Sequence, residues 1–452
     1  MRTLRNGTLA IAFTLCSISI LQAQDSKSLS LGETIGLGLE NSKQLKVALS
    51  KSKEAEFALQ GKKIAVAPDV DLSGQYMMIN EPNISLGDAL AGDGSDSEGT
   101  GTGVAPKYLA LGMASAKMPL FAGLRTQNDI RSAEYLEKAA QLDAEDQKSE
   151  VILNLVNAYV NLYKAQETVK LVEEDLQEAK KRVKDFTSME QNGILAKNDL
   201  LKAQLQESNT SLALLDAQNN QRVANYNMDL MLGLDEQTKL LLDSINIDQL
   251  QHLLSVTDLH DKALTDRKDL QAVDQREKAS ETAIKIAKGA YWPSVAVSGG
   301  YAAVDIDQVA TVTNAWNVGL GVSFNLGELY KNGSHVKQAK EKYAQTQLMH
   351  EQLTDQVKSE VFHSFSNYQE SQQRMDVYKK AEQQAAENYR IVKDKHTNSL
   401  ATTTDLLDAD IDRLQAELNL RFSKADVLAA YCKLLQVSGQ LDTPTIEALD
   451  AN

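Results

Sequence analysis

The chain has 452 residues, with 47 Lys and Arg against 62 Asp and Glu, a formal net charge of −15. So acidic a chain excludes nucleic-acid binding, because phosphate recognition needs a cationic footprint. A mean hydropathy of −0.34 excludes a multi-span helical membrane protein. The balance of 42% hydrophobic and 24% charged residues, with only six prolines, favours helix.

The N-terminus predicts a secretory signal over residues 1–23. Arg2 and Arg5 form its charged start, Thr8 to Leu21 its apolar stretch, and Ala23 its small final residue. A lone Cys432 then remains, so no internal disulfide can form. The next breaker-free segment is long. Leu124 to Asn192 contains neither proline nor glycine, which predicts a helix of 69 residues, about 100 Å at 1.5 Å per residue. Within it Val151, Leu155, Ala158, Leu162, Ala165, Val169, Val172, Leu176, Ala179 and Val183 alternate steps of four and three, a coiled-coil seam. Val156, Tyr159 and Tyr163 form a second stripe beside it. Near the C-terminus Leu407, Ile411, Leu414, Leu418, Ala425, Leu428 and Leu435 keep the same rhythm, with Arg421 and Cys432 at intervening seam positions.

Strands interrupt the helices. Trp316 to Leu326 is apolar at every even position and small or polar at every odd one, the period of a strand. Val70–Tyr76, Tyr108–Leu120 and Ser294–Val304 are weaker versions, giving two expected strand pairs. Pro68 and Pro293 precede strands, and Pro119 is expected at the end of one.

The halves repeat. At an offset of 225, Leu39 matches Leu264, Pro68 matches Pro293 and Tyr76 matches Tyr301. Beyond the strands the offset is 206, matching Ala133 with Ala339, Asp199 with Asp405 and Gly233 with Gly439. The difference lies in Met77 to Lys107, a Gly-, Ser- and Asp-rich loop expected at the outer surface. The expected organisation is a first repeat over 24–234, a connecting segment over 235–262, a second repeat over 263–440 and a tail over 441–452. Strands of about ten residues suit a tilted transmembrane β-strand. Four cannot close a barrel, and open edges are not tolerated in lipid. Copies must therefore pool strands, and three copies supply twelve.

The two-fold repeat, Met118-Pro-Leu-Phe-Ala-Gly-Leu-Arg125 leading into a long helix, and Thr402-Thr-Thr-Asp-Leu-Leu-Asp-Ala409 opening the last one carry a resemblance. Together they resemble the TolC-like outer-membrane efflux family over roughly residues 28–441. The resemblance implies a mainly α fold with a membrane β-barrel: a homotrimer whose twelve-stranded barrel sits in outer-membrane lipid and continues as a periplasmic α-helical coiled-coil barrel. It further implies a passive exit duct for efflux or type I secretion, working with a periplasmic adaptor protein and an inner-membrane transporter of RND, ABC or MFS type. A periplasmic coiled-coil adaptor is the alternative, although an adaptor would carry one helical hairpin and no recurring strand pairs.

No catalytic constellation is present, and no cofactor is expected. The histidines at 252, 260, 335, 350, 363 and 396 are scattered, without a pair at i, i+4. Asp405 and Asp408 share a helix face at i, i+3. By the resemblance they form carboxylate rings at the periplasmic aperture. Thr402–Asp405 also suits a helix cap, which accounts for Asp405 locally but does not require Asp408. Asn198 and Asp199 stand at the equivalent turn of the first half. The resemblance makes them gate contacts, whose usual aromatic and arginine partners are replaced here by His396 and Ala401. His396 is expected near Asp199, and Gly193 is matched by Ser399.

Overall fold

A computed structural model describes residues 26–80, 106–236, 238–243, 245 and 255–450. The expected signal segment and most of the expected outer loop, 81–105, lie outside the described residues. In chain order the elements are β1 (Ser26–Leu29), α1 (Leu31–Asn41), α2 (Lys43–Ile64), β2 (Asp69–Met78), β3 (Tyr108–Ala122), α3 (Arg125–Gln191), α4 (Lys197–Leu232) and β4 (Lys239–Leu242). There follow α5 (Val256–Asp266), α6 (Lys268–Gly289), β5 (Ser294–Ile306), β6 (Ala310–Ser323), α7 (Glu328–Thr397), α8 (Thr403–Val437) and α9 (Thr443–Asp450).

The two expected strand pairs are one antiparallel sheet in the order β2-β3-β5-β6. β3 joins them, pairing β5 from Leu109 opposite Ile306 to Ala122 opposite Ser294. Pro119 is not at a strand end. It stands inside β3 at a register shift before Phe121, where a bulge removes the need for its missing donor. β6 also ends earlier than its alternation suggests, because Asn325 Oδ1 accepts from Gly327 N at 3.0 Å and turns the chain into α7.

The register sorts the sheet into two faces. Leu72, Ala114, Tyr301 and Trp316 stand side by side, as do Val70, Ala116, Gly299 and Val318. Asp71, Ser115, Gly300 and Asn317 occupy the opposite face. On the apolar face Leu72 is 87% exposed and Leu320 71%. Water would not leave such a surface bare. β2 and β6 have no outer partner strand among the described residues, so both edges stay open in one chain. No described helix is long and apolar enough to cross a membrane.

The helices run away from the sheet. α3 and α7 hold 67 and 70 residues, about 100 Å each. Near the sheet they pack with α2 and α6; at the far end they pack with α4 and α8, in the lateral order α4, α3, α8, α7. The predicted seam is where the core lies: Val151, Leu155, Leu162, Val172, Leu176 and Ala179 are all buried. Two glycines fix the passage from sheet to helix. Gly123 has φ +64, and a Cβ there would meet the Gly289 carbonyl oxygen at 2.1 Å. This explains the glycine in the Met118–Arg125 stretch.

Halfway along, β1 pairs β4 in parallel beside α3, above a core of Leu29, Ile35, Tyr159, Met228, Leu232 and Leu240. The outer edge of β4 is satisfied by side chains. Asn225 donates to the Thr238 carbonyl at 2.7 Å and accepts from Leu240 N at 3.0 Å, which blunts a reactive strand edge. Arg267, between α5 and α6, is a buried cation. It donates to Asp269, to Glu360 on α7 at 2.7 Å and to the Val437 carbonyl closing α8 at 3.3 Å. One guanidinium thus ties three helices. Cys432 is buried in the core, as expected of a small apolar side chain, and burial pushes its thiol up to about 12.

Candidate functional site

The end farthest from the sheet is built from two matching turns. Ile194 N bonds the Met189 carbonyl at 2.8 Å, and Leu400 N bonds the Lys395 carbonyl at 2.8 Å. Both are helix-ending Schellman closures, which need one left-handed residue. Gly193 supplies it at φ +72, whereas Ser399 adopts φ 59 despite its Cβ, a strain of roughly 1 kcal/mol.

α8 opens with the cap foreseen in the sequence. Thr402 Oγ1 accepts from Asp405 N at 3.2 Å, while Thr402 N and its hydroxyl donate to Asp405 Oδ2 at 2.9 and 2.7 Å. These bonds from Thr402 hold the Asp405 carboxyl below the ordinary value. Asp405 and Asp408 both stay exposed, while Leu406, Leu407, Ala409 and Asp410 around them are buried. Asn198 is exposed at the opening of α4, and Asp199 faces Lys202 at 3.6 Å. Lys202 in turn donates to Thr404 at 2.9 Å, joining the two turns.

His396 stacks on Phe186 with ring centroids 5.6 Å apart, and its Nε2 lies 3.3 Å from the Thr403 hydroxyl. Burial pushes its pKa down, and Arg182 adds to that, while Asp199 pulls it up. The balance favours the neutral imidazole. Phe186 in turn belongs to a small core with Leu200, Ala203, Tyr389, Leu406 and Ala409. A cavity of about 800 Å³ opens between the two tips, lined by Phe186, Leu195, Lys202, Lys393 and His396 among others.

The sequence reading missed the ionic cluster just above this core. Asp410 on α8 pairs with Arg182 on α3 and, at 3.0 Å, with Arg413. Arg413 also reaches Glu178 at 3.5 Å and lies 4.9 Å from the Tyr389 ring centroid. The side chains of Arg182, Asp410 and Asp175 are all about nine-tenths buried. The available signal was an acid and a basic residue on the inward faces of two helices, but the pair is 228 residues apart.

Asp175 accepts from Thr210 at 3.3 Å, and burial followed by the Asp410 charge pushes its carboxyl up to about 6. Its folded pKa thus exceeds the unfolded value of 3.8. The folded state binds the extra proton, so stability falls as pH rises from about 4 to about 6 and stays low above. Asp175→Asn is expected to stabilise the protein at pH 7.5 by up to about 3 kcal/mol, and by much less at pH 4. Thermal melts at the two pH values check this.

No group of His, Cys, Asp and Glu able to hold a metal occurs among the described residues. A family model described as outer membrane efflux protein matches residues 34–234 and 259–440. The outer membrane efflux protein BepC of Brucella suis biovar 1 is 22% identical over 443 residues, covering 96% of this chain and 90% of BepC. The Campylobacter jejuni CmeC outer membrane channel superposes with a TM-score of 0.76 at 18% identity, over 98% of this chain and 96% of that one. The outer membrane protein VceC of Vibrio cholerae superposes at 0.73 and 17% identity, over 90% and 96%.

The fold is that of the trimeric channels, a β-barrel continued by an α-helical barrel, with the barrel in the outer membrane and the helices in the periplasm. The alternative of a periplasmic adaptor is overturned, because the family is one of channels. The chain belongs to the outer membrane efflux protein family.

Proposed function

We propose that the protein is the passive exit duct of a tripartite assembly, receiving cargo from an inner-membrane transporter through a periplasmic adaptor, and that Asp405 and Asp408 line its periplasmic aperture. The transporter is of RND, ABC or MFS type; the adaptor docks on the helical barrel. The exposure of both carboxylates at the helical end, amid buried neighbours on the same helix, carries this reading. Capping needs Asp405 alone. Asp408 is left for another use. Asn198, Asp199 and His396 are the contacts beside the aperture; Asp199 and His396 are joined through Lys202, Thr404 and Thr403, and Asn198 stands exposed next to Asp199.

Three chains bring six carboxylates to one axis. Their mutual repulsion works against the lowering that Thr402 imposes on the Asp405 carboxyl. A narrow acidic mouth also concentrates cations. Replacing both acids by Asn removes the charge at nearly constant volume. In planar bilayers the double variant is expected to lose cation preference and block by multivalent cations. Unchanged ion selectivity between pH 4 and 8 would place the carboxylates away from the pore.

A further inference from the structure

The inner face of the sheet changes character along its length. Next to the helices it is polar: Asp69, Lys117, Ser298 and Gly319 share one row, and Asp71, Ser115, Gly300 and Asn317 the next but one row outward begins. Beyond them Ser73, Met113, Ala302 and Ala315 stand side by side. Gln75, Leu111, Val304 and Val312 follow, and then Met77, Leu109, Ile306 and Ala310. Of these last twelve residues only Ser73 and Gln75 are polar, and none is charged. At the same height the outward face turns polar. Asp305 accepts from the Tyr108 hydroxyl at 3.1 Å and from the Thr311 hydroxyl at 2.7 Å. The two faces have exchanged their chemistry.

The interior of a membrane barrel is ordinarily polar, and a bare apolar surface in water marks a binding site. The three apolar rows extend about 14 Å along the strands, at 3.4 Å per residue. A cavity of about 470 Å³ lies on them, lined by Gln75, Leu111, Val304 and Val312 with the residues on either side of each. Its size suits a small organic molecule. Met77, Met113 and Val312 are exposed in the single chain, and methionine adapts to ligands of varied shape. Residues 81–105, the nearest other candidate to cover the rows, carry five acids and no Lys or Arg, a poor match for an uncharged apolar wall. We propose that the rows form an apolar collar at the outer mouth of the barrel, where small amphipathic molecules rest by their apolar face before leaving. The inference rests on the duct reading in one respect, that the occupant is cargo on its way out.

Three chains repeat the collar around one axis, so a molecule leaving one patch meets the next. Each methylene buried there lengthens the stay about fourfold. The contact needs no hydrogen-bond partner, so it selects for an apolar face and tolerates varied shapes. Asp405 and Asp408 lie at the other end of the duct and treat cations of equal charge alike. Single-channel recording with tetraalkylammonium ions separates the two ends, because charge stays constant while apolar surface grows. Added from the outer side, these ions reach the collar before the helical barrel.

Tetrabutylammonium is expected to interrupt the parent's potassium current roughly ten times longer than tetramethylammonium, the gain from about two buried methylenes. Leu111→Thr, Val304→Thr and Val312→Thr together are expected to bring the two dwell times close to each other. Threonine keeps a side chain that strands favour, and the particle's mass checks assembly. Val312→Thr alone, on the edge strand, is expected to shorten the longer dwell by a smaller factor. Ser115→Thr, two rows nearer the helices, leaves the ratio at the parent's value. Potassium conduction tests the duct and the dependence on alkyl length tests the collar, so the two fail separately. Equal dwell times in the parent would overturn the proposal, as would a ratio that the triple variant keeps. A ratio that appears only after deletion of residues 88–102 would overturn it too, by making that segment the occupant of the collar.

Discussion

Leu320→Arg is expected to keep the chain from assembling in the outer membrane, whereas Asn317→Arg is expected to leave assembly intact. The two residues lie on the same strand, three positions apart, on opposite faces of the sheet. Leu320 belongs to the face with Val70, Leu72, Tyr301 and Val318, which only lipid can cover. An arginine there costs about 2–4 kcal/mol per chain near the bilayer centre, and the trimer carries it three times. Asn317 lies opposite Gly300 on the face bearing Asp71 and Ser115, which meets the water-filled interior. Fractionation of outer membranes and the mass of the detergent-extracted particle separate these outcomes. Equal damage from both substitutions would mean that the sheet has no lipid face.

Arg267→Ala is expected to produce the second large effect, a loss of about 3 kcal/mol from the folded state. Asp269 and Glu360 would keep their charges beside a vacated guanidinium site, and the Val437 carbonyl would lose a donor. The figure sits at the low end for a broken buried pair because both acids are partly exposed and regain some water. Arg390→Ala is the control. Arg390 also bonds two acids, Glu387 and Asp394, but on an exposed helix surface, where such pairs contribute little. Denaturant midpoints of the two variants should differ clearly, and equal midpoints would remove Arg267 from the framework of the mid-region.

The helical part of this fold was largely legible because heptad spacing is a local signal. Val151, Leu155 and Leu162 announce a seam whatever helix covers it, and all three are buried. The strands were legible for the same reason, through period two. Their union into one sheet was not, because nothing near Leu109 specifies that Ile306 will stand opposite. Pro119 misled in a similar way: a proline marks a strand end or a bulge equally well, and only the register decides. At the tip the cap of Thr402 and Asp405 was readable from four consecutive residues. The Arg182–Asp410 pair was not, since a charged residue beside a seam has the same local pattern whether it meets water or a buried partner. Ser399 shows a further limit. Its left-handed backbone follows from a turn shared with Gly193, and the serine itself gives no sign of it.

One chain supplies a third of a closed barrel. Two open edges, β2 and β6, and an apolar face with nothing on it demand neighbours. Mass measurement of the particle extracted in mild detergent tests this most directly. Three chains per particle are expected, with no stable smaller species; a monomer that remains folded and inserted in lipid would contradict the shared twelve-stranded barrel.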